Sequence, residues 1–229
     1  FGIDTPDYQL GGNYLVTQLF GAQLHPCSKS DNQEAVVEGI AADLRKAGRR
    51  PFLVAYGISS ATGSLGYVRT AREISEQIDP PTAVLHASGS AGTQAGMVVG
   101  AATYLPDTRV VGIDVDAAPG RVQTDVEDLA GRVADRLGLQ LDDLGVRIEV
   151  VTGYAGPSYG AITPETLEAI SLFGKLEGLL LDPVYTGKAA AGLIGLIRRH
   201  EFSPADTVLF VHTGGWPGIF AYRSELANI

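Results

Sequence analysis

A chain of 229 residues with 26 acidic and 17 basic side chains, net −9 at pH 7, is ill-suited to nucleic acid, where basic contacts to phosphates dominate binding. Its 45% hydrophobic and 19% charged residues describe an ordinary globular interior, enough for one large domain or two small ones. No apolar run approaches the roughly 20 residues that a membrane helix needs, and a single cysteine, Cys27, excludes an internal disulfide framework and fits a reducing cytoplasm.

Short apolar runs alternate with helical segments, the signature of a parallel sheet with crossover helices. In chain order the pattern predicts a helix over Tyr14–Phe20, a strand over Gln23–His25 and a helix over Gln33–Ala47, where Val36, Val37, Ile40, Ala41 and Leu44 recur at helical spacing. A strand at Phe52–Ala55 and a helix at Ala61–Ile78 follow, then strand Ala83–His86, helix Ala95–Tyr104, strand Val110–Val115 and helix Val122–Leu137. The remainder reads as strand Ile148–Val151, helix Pro164–Phe173, strand Leu179–Leu181, helix Ala189–Arg199 and strand Val208–His212. Val208-Leu209-Phe210-Val211 reads as buried on both faces, as parallel strands usually are. The expected fold class is α/β, mostly parallel and doubly wound. A boundary is expected in the small-residue stretch Ala55–Ser64, leaving residues 1–60 as the remainder of a smaller domain and 61–229 as a larger ligand-binding domain.

The most telling stretch is Ala87-Ser88-Gly89-Ser90-Ala91-Gly92-Thr93-Gln94-Ala95-Gly96-Met97. It leaves an apolar strand and opens a helix, so glycines let the backbone approach a ligand while the first helical amides and the positive dipole end face it. Ser88, Ser90 and Thr93 add hydroxyl donors, and a phosphorylated ligand is the expected occupant. The plain alternative is a small-residue helix start that serves close packing. A nucleoside-triphosphate loop would end in Gly-Lys-Ser/Thr, where this chain has Gly92-Thr93-Gln94. A nucleotide-binding oxidoreductase would use an acid after the next strand, and Asp114 supplies one, but the glycines at 89, 92 and 96 depart from G-x-G-x-x-G.

Three further loops follow predicted strands. Gly153-Tyr154-Ala155-Gly156-Pro157-Ser158-Tyr159-Gly160 either presents a phenol to a ligand or is a surface turn with a packing aromatic. Leu180-Leu181-Asp182-Pro183-Val184-Tyr185-Thr186-Gly187-Lys188 concentrates Tyr, Thr and Lys at one strand end; an N-cap would account for Thr186 but not for Tyr185. His212-Thr213-Gly214-Gly215-Trp216-Pro217-Gly218 is a glycine turn after a buried strand, with Trp216 over the sheet edge as its structural reading. The four histidines at 25, 86, 200 and 212 show no metal-ligand spacing, so no metal is expected and His212 reads as structural.

These segments resemble the pyridoxal-5′-phosphate enzymes of the D-cysteine desulfhydrase and 1-aminocyclopropane-1-carboxylate deaminase group, fold type II, which share the tryptophan-synthase β-subunit fold. The resemblance lies in Leu65-Gly66-Tyr67-Val68, the Ala87–Gly96 loop, Tyr159-Gly160, Leu176 to Lys188 and His212-Thr213-Gly214-Gly215, and it covers nearly the whole chain. It implies that Gly89, Ser90, Ala91, Gly92 and Thr93 cradle the cofactor phosphate. It also implies that Tyr159 and Tyr185 are the two active-site tyrosines. Thr186 falls where the deaminases carry a glutamate against the pyridine nitrogen and the desulfhydrases a threonine. A neutral hydroxyl there makes the ring a weaker electron sink, which suits β-elimination of a good leaving group. The implied activity is a lyase converting D-cysteine to pyruvate, hydrogen sulfide and ammonia in a cytoplasmic homodimer, with an L-cysteate sulfo-lyase or the cyclopropane deaminase as alternatives on the same scaffold.

One departure bears on catalysis. The family's cofactor-linking lysine lies in an N-terminal third that has no counterpart here. Lys188 matches a different family position, and Lys29, Lys46 and Lys175 lack a matching context. The chain starts at Phe1, its only methionine is Met97, and its first ten residues carry no signal-like pattern. It therefore reads as the C-terminal part of something longer, catalytic only together with an N-terminal segment of the same protein, or as a non-catalytic fragment.

Overall fold

The computed structural model describes residues 11–27, 31–54, 56–227 and 229. At its centre is β1 (Ala83–Ser88), whose six residues are all buried. It pairs in parallel with β2 (Arg109–Asp114) on one side and with β4 (Val208–Phe210) on the other, and β3 (Glu149–Val151) extends the sheet beyond β2. The order is β3-β2-β1-β4. Before the sheet come α1 (Gly12–Leu19), α2 (Gln33–Lys46) and α3 (Ala61–Gln77); α4 (Gly92–Tyr104) links β1 to β2 and α5 (Arg121–Arg136) links β2 to β3. After β3 come α6 (Pro164–Glu177) and α7 (Thr186–Arg198), which lead to β4, and α8 (Arg223–Leu226) follows it.

The two faces of the sheet carry different helices. Val84 and Val110 meet Ala71 and Ile74 of α3 and Met97, Val98 and Ala101 of α4. Beside α4 lies α5, whose Val122, Val126, Leu129, Ala130, Val133 and Ala134 are buried at helical spacing. On the opposite face Leu85, Ala87, Val111, Ile113 and Val115 pack on Ala189 and Leu196 of α7, and α6 covers α7 through Ala169. Helices on both faces of a parallel sheet confirm the doubly wound α/β expectation. Gly96 and Gly100 let α3 and α4 touch: a Cβ on Gly96 would fall 2.1 Å from the Ser64 carbonyl oxygen, and one on Gly100 2.8 Å from Ala71 Cβ. Of the small residues in the Ala87–Met97 stretch, Gly96 thus serves close packing, but against helix α3 and not against the sheet.

Local sequence explains most element ends. Asn32, Ser60 and Thr163 cap α2, α3 and α6 by accepting from Ala35, Gly63 and Thr166 amides. Pro164 opens α6 and Gly178, at φ 67°, closes it. The expected strands at Gln23–His25 and Leu179–Leu181 are irregular segments without strand pairing, and so is the described part of Phe52–Ala55, whose last residue lies outside the described residues. Apolar composition alone does not make a strand where no neighbouring backbone completes the ladder. The expectation that Val208–Val211 is buried on both faces is also corrected. β4 stands at the end of the strand order, and its residues are only half-buried.

This wiring sets the site. From β1 the chain winds outward through β2 and β3, then returns to place β4 on the other side of β1. The order reverses between β1 and β4, and open α/β sheets bind ligands at the carboxyl ends of the strands at such a switch point.

Candidate active site

A cavity of about 430 Å³ opens at that point. Its floor runs from the end of β1 to the start of α4, Ala87 to Thr93; Val115 and Asp116 after β2 and Thr213 after β4 close it, and Tyr56, Ser64, Tyr67, Tyr159 and Tyr185 make the walls. Of the residues expected from sequence, Gly89, Ser90, Ala91, Gly92, Thr93, Tyr159 and Tyr185 line this one cavity. Thr186 is not among its lining residues.

The β1–α4 loop has the geometry of an anion cradle. Ala91, the N-cap of α4, is in the left-handed conformation at φ 68° and makes no side-chain cap. A left-handed residue just before a helix gathers successive amides into a concave nest at the positive end of the dipole. A non-glycine residue held there is strained, and such strain concentrates at functional sites. Ser64 Oγ and Ser88 Oγ are buried in the cavity wall and bond to no described residue, which marks them as donors for a polar ligand. Ser90 Oγ accepts a hydrogen bond from Ser59 Oγ at 2.8 Å, leaving its own proton available. Arg121 braces the loop from outside, donating to the Gly89 carbonyl at 3.2 Å and pairing with Asp116 at 2.5 Å and Asp125 at 2.6 Å.

Across the cavity the hydroxyls of Tyr159 and Tyr185 hydrogen-bond to each other, their rings edge-to-face with centroids 6.2 Å apart. Burial, then the bond to Tyr185, pushes the Tyr159 phenol far above its ordinary ionisation range. Tyr159 therefore keeps its proton at neutral pH and is a hydrogen-bond donor. Tyr222 steadies its loop by donating to the Gly160 carbonyl at 2.7 Å.

Tyr185 is aimed by Asp182. That buried carboxylate accepts from the amides of Val184, Tyr185 and Thr186 and from Thr186 Oγ1, each at 2.8 Å. Thr186 Oγ1 in turn accepts from the Asp182 amide at 3.0 Å. The N-cap position of α7 is Tyr185, which makes no side-chain cap, and not Thr186 as the N-cap reading had it; the threonine is the first residue of the helix, and the Asp182 carboxylate takes the amides there. Lys188 is fully buried and donates to the Ala155 carbonyl at 2.5 Å, and its burial lowers its pKa to about 8. It ties the α7 start to the Tyr159 loop and does not line the cavity. Lys29 lies outside the described residues, and among the described residues no lysine lines the cavity.

Two other sequence candidates have structural roles. Asp114 ends β2 with Oδ1 accepting from the Asp116 amide at 2.8 Å, and desolvation raises its pKa. His212 Nε2 meets the Leu180 carbonyl at 2.9 Å while Nδ1 accepts from the Gly214 amide, the structural reading made from sequence. Trp216 packs edge-to-face on Phe220. Sequence reasoning missed Tyr56 and Ser64 as wall residues and Ser59 as the partner of Ser90. The aromatic beside Gly57 was the available signal for Tyr56, in a stretch read only as a boundary.

The chain is similar to known proteins over most of its length. It is 38% identical to the D-cysteine desulfhydrase of Salmonella schwarzengrund (strain CVM19633) over 228 residues, 98% of this chain and 69% of that protein. The solved structure of an ACC deaminase homologue matches with a TM-score of 0.87 and 36% identity, covering 95% of this chain and 66% of the other. The chain therefore spans about two thirds of the length of these relatives. Serine racemase from Dictyostelium discoideum, at 15% identity and a TM-score of 0.57 over 93% of this chain and 66% of that one, shares the fold. The family model "Pyridoxal-phosphate dependent enzyme" matches residues 4–214. With the switch-point cavity, the uncapped helix start and these likenesses in agreement, the chain belongs to the pyridoxal-phosphate dependent enzymes of fold type II, the tryptophan-synthase β-like group.

Proposed function

We propose that this chain forms the phosphate-holding and tyrosine-bearing part of a lyase that eliminates the β-substituent of a small sulfur amino acid. For D-cysteine the balance is D-cysteine plus water giving pyruvate, hydrogen sulfide and ammonia. The observation that carries the reading is the pair Tyr159–Tyr185 facing the phosphate cradle across one cavity. The 38% identical desulfhydrase supplies the substrate class.

The residues present fit the cofactor. The left-handed Ala91, the first amides of α4, the hydroxyls of Ser90 and Thr93 and the buried Ser88 and Ser64 hydroxyls suit a phosphate monoester. When bound, pyridoxal phosphate supplies the electron sink for loss of the α-proton and the β-substituent. The protein's part is binding, orientation and proton placement. The cradle fixes the phosphate end, and Asp182 sets the direction of Tyr185 through three backbone amides. Tyr159 holds a proton at its phenolic oxygen for a leaving thiolate or for the substrate carboxylate. Thr186, buried behind the cavity lining with its hydroxyl donating to Asp182, would act on the cofactor ring as a neutral group and not as a carboxylate. The cofactor-linking lysine comes from an N-terminal segment of the same protein, residues 1–60 belong with that segment's smaller domain, and the whole acts as a cytoplasmic homodimer.

A second reading, opening of a cyclopropane amino acid, has support from the 36% identical ACC deaminase homologue. The test is a parallel assay of the full-length protein on D-cysteine, L-cysteate and 1-aminocyclopropane-1-carboxylate. Sulfide and pyruvate from D-cysteine support the desulfhydrase reading. Sulfite release, or 2-oxobutyrate from the cyclopropane acid in its place, replaces that reading with the corresponding alternative.

A further inference from the structure

Tyr56, Tyr159 and Tyr185 line both the 430 Å³ cavity and a neighbouring one of about 190 Å³ that reaches Asn13, Asp182 and Tyr222. Three phenols thus form the wall shared by the two spaces. Tyr56 stands close enough to Tyr159 and Tyr185 for both to act on the ionisation of its phenol.

The backbone brings it there. Gly57 and Ile58 stand at φ 64° and 59°. A β-branched residue adopts the left-handed region only where its surroundings over-determine it. Those surroundings are visible: Ser59 Oγ donates to Ser90 Oγ at 2.8 Å, a Cβ on Gly57 would fall 2.3 Å from Ser90 Oγ, and one on Gly63 would fall 2.3 Å from the Ile58 carbonyl oxygen. The turn is wedged between the first turn of α3 and the phosphate loop. The titratable groups facing Tyr56 are Tyr159, Tyr185, Asp116 and Arg121, the last two paired with each other. Those facing Tyr159 are Tyr185, Tyr56 and Tyr222.

We propose that Tyr56 is a positioning residue of this active site: its phenol, aimed by a left-handed turn clamped to Ser90, restrains the hydroxyl of Tyr159. The inference rests on the reading of Tyr159 as the phenol that holds a proton at the reacting centre. It makes the tyrosine wall and the phosphate loop one mechanical unit, because the loop that takes the phosphate also carries the anchor of the turn.

The test compares the full-length protein with Tyr56→Phe and Tyr56→Ala. Tyr56→Phe keeps the ring and is expected to lower kcat about three- to tenfold, the effect of one hydrogen bond, with KM changed less than about twofold and pyridoxal-phosphate affinity unchanged. In the cofactor-free protein, the tyrosine Raman doublet, which reports the hydrogen bonding of phenols, should change in Tyr56→Phe by more than the loss of one phenol, because the Tyr159 hydroxyl loses a partner. A Tyr56→Phe protein with wild-type kcat, whose Raman doublet is that of wild type less one phenol, overturns the proposal even if Tyr56→Ala is impaired; the ring would then serve packing alone. If the wild type turns over none of the amino acids assayed, the substrate reading has failed, and the Raman doublet by itself decides the role of Tyr56.

Discussion

The phosphate loop and the tyrosine wall face each other across one cavity and are built in opposite ways. The loop is seven consecutive residues, Ala87 to Thr93, and acts mainly through backbone: a left-handed Ala91, an uncapped helix start and small hydroxyl side chains. The wall joins three segments, with Tyr56, Tyr159 and Tyr185 carried before α3, before α6 and at the start of α7. It acts through side chains whose placement depends on Asp182, Tyr222 and Ser59. A contiguous backbone site tolerates loss of one hydroxyl, because its amides remain. An assembled side-chain site fails when one phenol is altered.

The comparison can be broken at several points. The largest effect is expected at the wall, where Tyr159→Phe should lower kcat on the amino-acid substrate by about 10²–10³-fold while pyridoxal-phosphate affinity stays near wild type. Steady-state kinetics beside cofactor titration separate the two quantities, and equal losses in both would show that wall and loop are not distinct. In the loop, Gly92→Asp should weaken pyridoxal-phosphate binding by about a hundredfold or more, since like charges meet at the phosphate and its Cβ would fall 2.9 Å from Ser59 Oγ. Ser90→Ala, which leaves the amides, should lose only about three- to tenfold; fluorescence titration with the cofactor reads both.

His86, at the sheet centre two residues before Ser88, gives the loop a pH dependence of stability. It is fully buried with Nδ1 on the Ala87 carbonyl at 3.0 Å, and desolvation lowers its pKa from 6.5 to about 4. Between those values the unfolded chain binds the extra proton, so this contribution is complete above about pH 6.5 and is lost as pH falls toward 4. The term amounts to at most about 3 kcal/mol. Urea unfolding at several pH values should therefore show a steeper acid loss for wild type than for His86→Leu, and parallel curves would remove His86 as the source. The smallest effect is at the hinge of the wall. Ile58→Gly relieves a left-handed β-branched residue at the cost of glycine's chain entropy, with a net gain of about 1 kcal/mol in stability. If the turn aims Tyr56, that variant should melt higher and still turn over more slowly than wild type.

The difference between the two regions also decides what was legible in the sequence. The loop could be read because strand, glycines, hydroxyls and helix start are adjacent along the chain. Tyr159 and Tyr185 were found through their resemblance to a family pattern; the residues alone left Tyr159 balanced between a ligand contact and a packing aromatic. Tyr56 was not found, because its importance comes from Ser90, which lies 31 positions beyond its partner Ser59, and from a backbone conformation that an isoleucine rarely adopts. Asp182 was quoted within its segment without a role, since a carboxylate that takes an amide four residues ahead resembles any loop acid until the turn closes on it.

Strand–helix alternation, buried β1 and the amphipathic α5 follow from local periodicity, and so the doubly wound α/β class was determined by the sequence itself. Short-range chemistry likewise determined the caps at Asn32, Ser60 and Thr163 and the glycine- and hydroxyl-rich, uncapped helix start within Ala87–Thr93. Which extended runs become strands was settled by tertiary structure: Leu179–Leu181 is as apolar as β4, yet only the run beside β1 finds a partner. The same holds for the assembly of the tyrosine wall, the engagement of Thr186 by Asp182 and the burial of Lys188 against Ala155. The physical reason is range: propensity, capping and dipole effects act within a few residues, whereas ladder pairing and side-chain contact depend on which distant segments the sheet order brings to its carboxyl edge.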